Sequence, residues 1–398
     1  NFYRVDSHTG ERSTWAPIPR NFSIISTAFL RKLVFEDPLQ KKGANVSLIP
    51  YVAGRTSKNF LEKSSEALRP AIGGDAKIGI GPAMNLDLTF NPDFSQVEVD
   101  QQVTNLDRFE IFVPERRQFF LENGDLFDSF GQTRSRPFFS RRIGVDIDSA
   151  TGQNVQSKII YGARLSGKLN EKWRLGVMNM QTATDEEAGI VGKNFTVFAL
   201  QRKMFERSNI GLIYVNKETL AQDENQRLFD PSAYNRLLEV DYNLNSSDGK
   251  WTGKLFYHRT FESVEVEKPY SFNAYLLFTS LNWNWTFAFQ DVGKSFSPEV
   301  GFVPRADFKR LNPDVTYLFY PKSKLINRHG PKVEFEGYWN ETLGTTDRDI
   351  NLGYTIRFNS LAQLEITQRN RYVYLFNNFD PTRSKGTPLA AGTDYSFR

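Results

Sequence analysis

The sequence predicts an all-β fold, an antiparallel transmembrane β-barrel of roughly 14–18 strands with a partly inserted loop or plug segment. Three observations carry this. Apolar residues recur with period two along most of the chain. The alternating runs are long, about 10–13 residues, where a soluble strand averages ~5–6 and a tilted membrane strand needs ~9–11. Connections also alternate short and long, as they do where periplasmic turns are tight and surface loops extended.

The elements follow in order. Asn59 to Leu68 is the best helix candidate, short and polar. Met84, Leu86, Leu88 and Phe90 then alternate with Asn85, Asp87, Thr89 and Asn91. After a break, Ile159, Tyr161, Ala163 and Leu165 alternate with Ile160, Gly162, Arg164 and Ser166. Leu238, Val240, Tyr242 and Leu244 enclose Glu239, Asp241 and Asn243. Trp283, Trp285, Phe287 and Phe289 share one face, as do Val333, Phe335, Gly337 and Trp339. Ile350, Leu352, Tyr354, Ile356 and Phe358 form the last clear set. Asn170-Glu171, Phe205-Glu206, Asn245–Gly249 and Ser360 read as tight connections. Ala183–Lys193, Lys217–Pro231 and Asn377–Asp394 read as long ones. Several Trp residues, among them Trp173, Trp251 and Trp283, fall near strand ends, where interface girdles form. A soluble sandwich with a Trp- and Phe-lined core is the competing architecture, but it has no reason to sort loops by rim.

Residues 100–157 break the pattern. They are dense in Arg, Glu and Phe and carry Pro114. This stretch is too apolar for a loose loop and too charged for lipid-facing strands. Structure inside or over a barrel mouth is one expectation; ordinary strands with a large outer loop is the other.

Composition sets limits. The 398 residues carry 50 Lys+Arg against 46 Asp+Glu, a net charge of +4, with no dense basic run to suit nucleic acid. No stretch approaches the ~18 apolar residues of a membrane helix. Hydrophobic residues are 39% and aromatics 14%, a balance that suits a barrel half of whose strand surface faces water. Cysteine is absent, which excludes disulfides, thiolate metal sites and a Cys nucleophile.

Chemical motifs are weak. His8, His258 and His329 are far apart, so no zinc pattern arises. Asp146 to Gly152 resembles the start of a calcium loop, but the Gly falls late and the twelfth position is Ser157. No metal and no cofactor is therefore expected. His258 shares a strand face with Thr252, Lys254 and Phe256, which makes it a wall residue of the lumen before it is a catalytic base. Glu115 with Glu122, or Glu334 with Glu336, could work as paired carboxylates. With Arg116 and Arg117 alongside, ion pairing is the cheaper account. The expected lumen and plug set is Glu115, Arg116, Arg117, Glu122, Arg141, Arg142, Arg164, Glu239, Asp241, Lys254, Glu334, Glu336 and Arg357. Its mixed sign argues against a strongly ion-selective pore. The expected lipid-facing set is Trp283, Trp285, Phe287, Phe289, Leu352, Tyr354 and Ile356.

Four stretches together resemble a family of Gram-negative outer-membrane β-barrels of unknown function. They are Leu86–Asp100, Phe109–Phe127, Pro137–Gly144 and Ser295–Phe308. Longer members carry a family-9-like carbohydrate-binding module upstream. Thr14–Ser23 resembles the exit from such a module, so residues 1–27 are expected to be that exit and 28–398 the barrel. Asp394-Tyr395-Ser396-Phe397 does not read as a closing strand, so further C-terminal strands are expected in a longer protein. The resemblance implies the cell outer membrane as location and its lipid and lipopolysaccharide as surroundings. Other outer-membrane proteins or lipoproteins, and a glycan, are possible partners. Passive or gated passage of a solute is the expected role. A non-transporting accessory subunit of a larger assembly is the alternative, and a membrane-embedded hydrolase, for which no motif speaks, the second.

Overall fold

The computed structural model describes residues 3–6, 12–16, 34, 36, 45–56, 58–59, 64–65, 69–92, 110–132, 134–147, 154–186, 189–220, 234–375, 378 and 394–397. Two small hairpins pair β1 (Tyr3–Val5) with β2 (Arg12–Thr14) and β4 (Lys58–Asn59) with β5 (Ser64–Ser65). The expected helix at Asn59–Leu68 is thus corrected where it is described. A polar run with no apolar stripe to bury gains nothing from one short helix.

One 16-stranded sheet forms the body. Its strands are β3 (Val46–Arg55), β6 (Arg69–Ile80), β7 (Met84–Phe90), β10 (Ile159–Lys168), β11 (Trp173–Thr182), β12 (Lys193–Met204), β13 (Ser208–Thr219) and β14 (Tyr234–Asn245). It continues with β15 (Trp251–Glu262), β16 (Tyr270–Thr279), β17 (Trp283–Val292), β18 (Phe308–Tyr317), β19 (Ile326–Asn340), β20 (Gly344–Phe358), β21 (Gln363–Tyr374) and β22 (Asp394–Phe397). Every neighbour pair is antiparallel and follows chain order. Most of these strands run 10 to 15 residues. The tail that does not read as a closing strand still pairs, Asp394–Phe397 against Arg371–Tyr374, as an edge strand of the sheet. Backbone groups on an open edge accept a short partner whatever its side-chain pattern.

The segment between β7 and β10 holds α1 (Gln118–Leu121), α2 (Asp125–Asp128), a 3₁₀ turn at Ser140–Arg142, and the hairpin β8 (Val145–Ile147) with β9 (Asn154–Gln156). It fixes the curvature of the sheet. Glu122 pairs with Lys77 on β6, and Arg134 pairs with Glu336 on β19. In a flat sheet those strands would stand roughly 50 Å apart at ~4.8 Å per step. The chain from Glu122 to Arg134 spans at most about 40 Å even fully extended, and α2 shortens it. The sheet therefore curls around this inserted segment.

The curl gives two faces. Apolar side chains meet across the outer one, strand by strand. Leu86 faces Leu165, Leu165 faces Val177, Val177 faces Phe198, Phe198 faces Tyr214 and Tyr214 faces Leu238. Further round, Leu276 faces Phe287, Val315 faces Val333 and Val333 faces Leu352. Turns 81–83, 169–172, 205–207, 246–250, 280–282, 318–325 and 359–362 share one rim. Connections 56–68, 91–158, 183–192, 220–233, 263–269, 293–307 and 375–393 share the other; the tight 341–343 on this rim and the eight-residue 318–325 on the first break the rhythm. At the short-turn rim the rings of Trp251, Phe278 and Trp285 pack together, and those of Trp283 and Tyr317 lie 4.6 Å apart.

The inner face is not uniformly polar. On β11–β14, Met178, Met180, Val197, Ala199, Ile213, Val215 and Leu237 are buried against Phe120, Leu126, Phe127, Phe130 and Phe138 of the inserted segment. A bulge between Ile159 and Tyr161 turns Ile159 into this core and leaves Tyr161 outside.

Candidate functional site

The inserted segment is tied together by one carboxylate. Glu115 accepts the backbone N–H groups of Arg116 and Arg117, each at 2.9 Å. It also takes the Arg117 guanidinium at 3.0 and 2.7 Å and the Ser140 hydroxyl at 2.6 Å. Arg117 continues to the carbonyls of Ile143 and Ser140. Burial opposes ionisation of Glu115, and Arg117 with Ser140 overcomes it, so its pKa falls to about 2. Arg141 donates to the Pro114 carbonyl, and Arg142 pairs with Glu110 at 2.6 Å.

Three aromatic rings then seat on glycines of the wall. A Cβ at Gly176 would lie 2.7 Å from the Phe127 ring, one at Gly211 2.7 Å from Phe130, and one at Gly162 3.3 Å from Phe119. Residues 293–307 close over the segment from the long-loop rim. Backbone groups of Arg136 and Phe302 exchange two hydrogen bonds of 3.0 Å, and Phe139 donates to Val300 at 2.7 Å.

Polar anchors complete the docking. His258 Nδ1 lies 2.8 Å from Glu239 Oε2, and its Nε2 lies 2.9 Å from Ser135 Oγ. This is the connectivity of a serine-hydrolase triad. All three side chains are closed to solvent. Glu239 Oε1 also accepts the Gly131 N–H at 2.7 Å, Ser135 Oγ sits 3.1 Å from Ser271 Oγ, and the His258 ring stacks on Phe296. A sealed hydroxyl admits no substrate carbonyl. The arrangement clamps the inserted segment to β14, β15 and β16. Sequence reasoning placed His258 inward and missed Ser135, because 123 residues separate the two and no local motif links them.

The other expected residues fall into pairs. Arg164 meets Asp87 at 2.8 Å, fully buried. Lys254 meets Asp241 at 3.1 Å and also reaches the Ser129 carbonyl. Glu336 takes Arg310 at 2.8 Å, Arg134 at 3.1 Å and the Tyr338 hydroxyl at 3.0 Å. Glu334 takes Lys332 and Asn351. Neither carboxylate pair stands free: Glu115 and Glu122 are bound to Arg117 and Lys77. Arg357 is half-exposed near the short-turn end of β20, apart from the cluster. Asp146 of the calcium-like stretch pairs with Lys193, and residues 148–153 lie outside the described residues. Of the outer set, Trp283, Phe287, Leu352 and Tyr354 are exposed, while Trp285, Phe289 and Ile356 are half-buried by neighbouring side chains.

A cavity of about 440 Å³ opens between the inserted segment and β16–β18. Arg134, Arg136 and Arg310 line it, with Asp128, Gln290 and Asn312. Burial pushes the Asp128 carboxyl up to about 6, against the charge of Arg136 and with that of Glu115 and Asp125.

The family model described as "Domain of unknown function (DUF5916)" matches residues 44–393. No curated protein matches the sequence. A solved structure, "Crystal structure of Acinetobacter baumannii OccAB2", is similar at 9% identity over 82% of this chain and 89% of that one, with a TM-score of 0.30. A likeness that weak says nothing of function.

Proposed function

This chain belongs to the DUF5916 family, and we propose that it is a β-barrel of the Gram-negative outer membrane, plugged from within, that passes a solute when the plug shifts. The observation that carries this is the curled sheet itself, apolar and exposed on its outer face and wrapped around its own segment on the inner one. Lipid and lipopolysaccharide cover the outer face, and the short-turn rim with its packed Trp rings faces the periplasm. On this reading it is a route rather than a catalyst, since Glu115 and Glu336 are held by arginines and Ser135 is sealed. A glycan-related solute fits the carbohydrate-binding module expected in longer relatives.

The absence of native cysteine makes a clean test possible. Ser135→Cys with Ser271→Cys places two thiols across plug and wall, where the two hydroxyl oxygens lie 3.1 Å apart, for a tether formed on oxidation. Planar bilayers should show conductance steps in the reduced protein that vanish on oxidation and return with reductant. Steps indifferent to the tether would remove the gate.

The apolar contact between plug and wall favours a second reading, a permanently closed barrel serving as an accessory subunit. It predicts silent bilayers in either redox state and co-purification with other envelope proteins after gentle extraction.

A further inference from the structure

We infer that the cavity between the inserted segment and β16–β18 binds a small organic anion bearing both a carboxylate and hydroxyl groups, the class of the sugar acids. This rests on the proposed route and names the solute it takes. Three arginines line the cavity, Arg134 and Arg136 from the inserted segment and Arg310 from the wall. Guanidinium forks match carboxylates in two-point geometry. Glu336, shared by Arg134 and Arg310, offsets part of that charge. Arg136 rests on the Phe112 ring, and its buried Nε has no hydrogen-bond partner among the described residues.

A second, independent observation points to an occupant. Gln290 is 1% exposed, lines the cavity, and its Nε2 donates to nothing among the described residues. Buried amide donors are seldom left unmet, so an acceptor oxygen belongs beside this one. Asn273, its cross-strand neighbour, is also buried, with both amide atoms unmet among the described residues, but it does not line the cavity. The hydroxyl requirement comes from Asp128. A carboxyl in the same cavity repels a dense inorganic anion but accepts hydroxyl donors. Tyr275, half-buried on β16, supplies a ring wall for the C–H face of a sugar. Arg134 is half exposed, which opens the cavity to solvent.

The test is calorimetric titration of the full chain in detergent micelles with glucuronate, glucose and inorganic phosphate. Glucuronate should bind, with glucose and phosphate about tenfold weaker or worse. Gln290→Leu should weaken glucuronate about tenfold and leave the unfolding temperature unchanged or higher, since it swaps an unmet buried amide for an apolar group of like size. Arg136→Gln should weaken it as well. Absent glucuronate heat, phosphate binding as tight as glucuronate, or affinity blind to Gln290→Leu each overturns the assignment. Conductance without glucuronate binding sinks the site and spares the route; binding in a protein that never conducts does the reverse.

Discussion

Replacing Glu115 by glutamine removes one charge and almost no volume, and the inserted segment should loosen by an amount the structure sets. Two stretches distant in sequence meet on this carboxylate, Glu115–Arg117 and the turn at Ser140–Arg142. Its pKa falls from 4.5 to about 2 in the docked segment, burial resisting and Arg117 with Ser140 prevailing. At ~1.36 kcal/mol per unit, that corresponds to about 3 kcal/mol of coupling between the charge and the docked arrangement. The side chain is 8% exposed, so solvent screening takes little of it. A depressed carboxyl pKa stabilises the docked form in full above the free value and loses that contribution as pH falls through the depressed one. Hydrogen exchange in Pro114–Leu121 and Phe138–Ile143 should therefore speed up about a hundredfold in Glu115→Gln at pH 7. The native chain should converge on the variant between about pH 4.5 and about pH 2, once intrinsic exchange rates are divided out. Equal protection at pH 7, or native protection blind to that window, refutes the reasoning.

Two further outcomes follow from the wall. His258→Ala strips Glu239 of its ring partner inside a site closed to water, which should cost about 3–5 kcal/mol in thermal or urea unfolding; wild-type stability would deny the clamp. Phe287→Lys places a charge mid-strand on the outer face and should cost ~2–4 kcal/mol of folding into lipid vesicles, whereas unchanged yield would mean that water and not hydrocarbon bathes that face.

The outer face was legible because a strand shows its sides at period two, and Trp283, Phe287, Leu352 and Tyr354 stand where that period puts them. The loop rhythm was legible for a similar reason, since tight turns carry local signals such as Asn170 and Ser246–Gly249. The inner face was not. On β13, Leu212 and Tyr214 point out while Ile213 and Val215 point in, so both faces are apolar and alternation is silent. The sequence could not say that Phe127 needs Gly176, or Phe130 Gly211, because such pairs exist only once the sheet has curled. Ser135 meets His258 by the same long-range closure. The bulge at Ile159–Tyr161 inverted one expected face, as a single extra residue must.

On the proposed route, how the segment sits decides what kind of gate it could be. Its contacts divide. Toward β10–β13 it offers Phe119, Phe127 and Phe130 to glycine floors and to Met178, Val197 and Ile213. Toward β14–β19 it adds hydrogen bonds and charges, Gly131 to Glu239, Ser135 to His258 and Arg134 to Glu336, beside fewer apolar partners such as Leu237 and Val292. Ejecting the whole segment would return Phe120, Leu126, Phe127, Phe130 and Phe138 to water, on the order of 10 kcal/mol at about 1.5–3 kcal/mol per side chain. An opening that costly is too rare to carry a solute. Parting from β14–β19 exposes less apolar surface, but it must also break the buried Ser135–His258–Glu239 anchor. If the segment gates the proposed route, the opening that exposes least apolar surface swings on the aromatic seam and parts from β14–β19. That is the side on which the Ser135–Ser271 tether lies and the arginine-lined cavity opens, so locking it should stop passage while leaving the aromatic seam untouched.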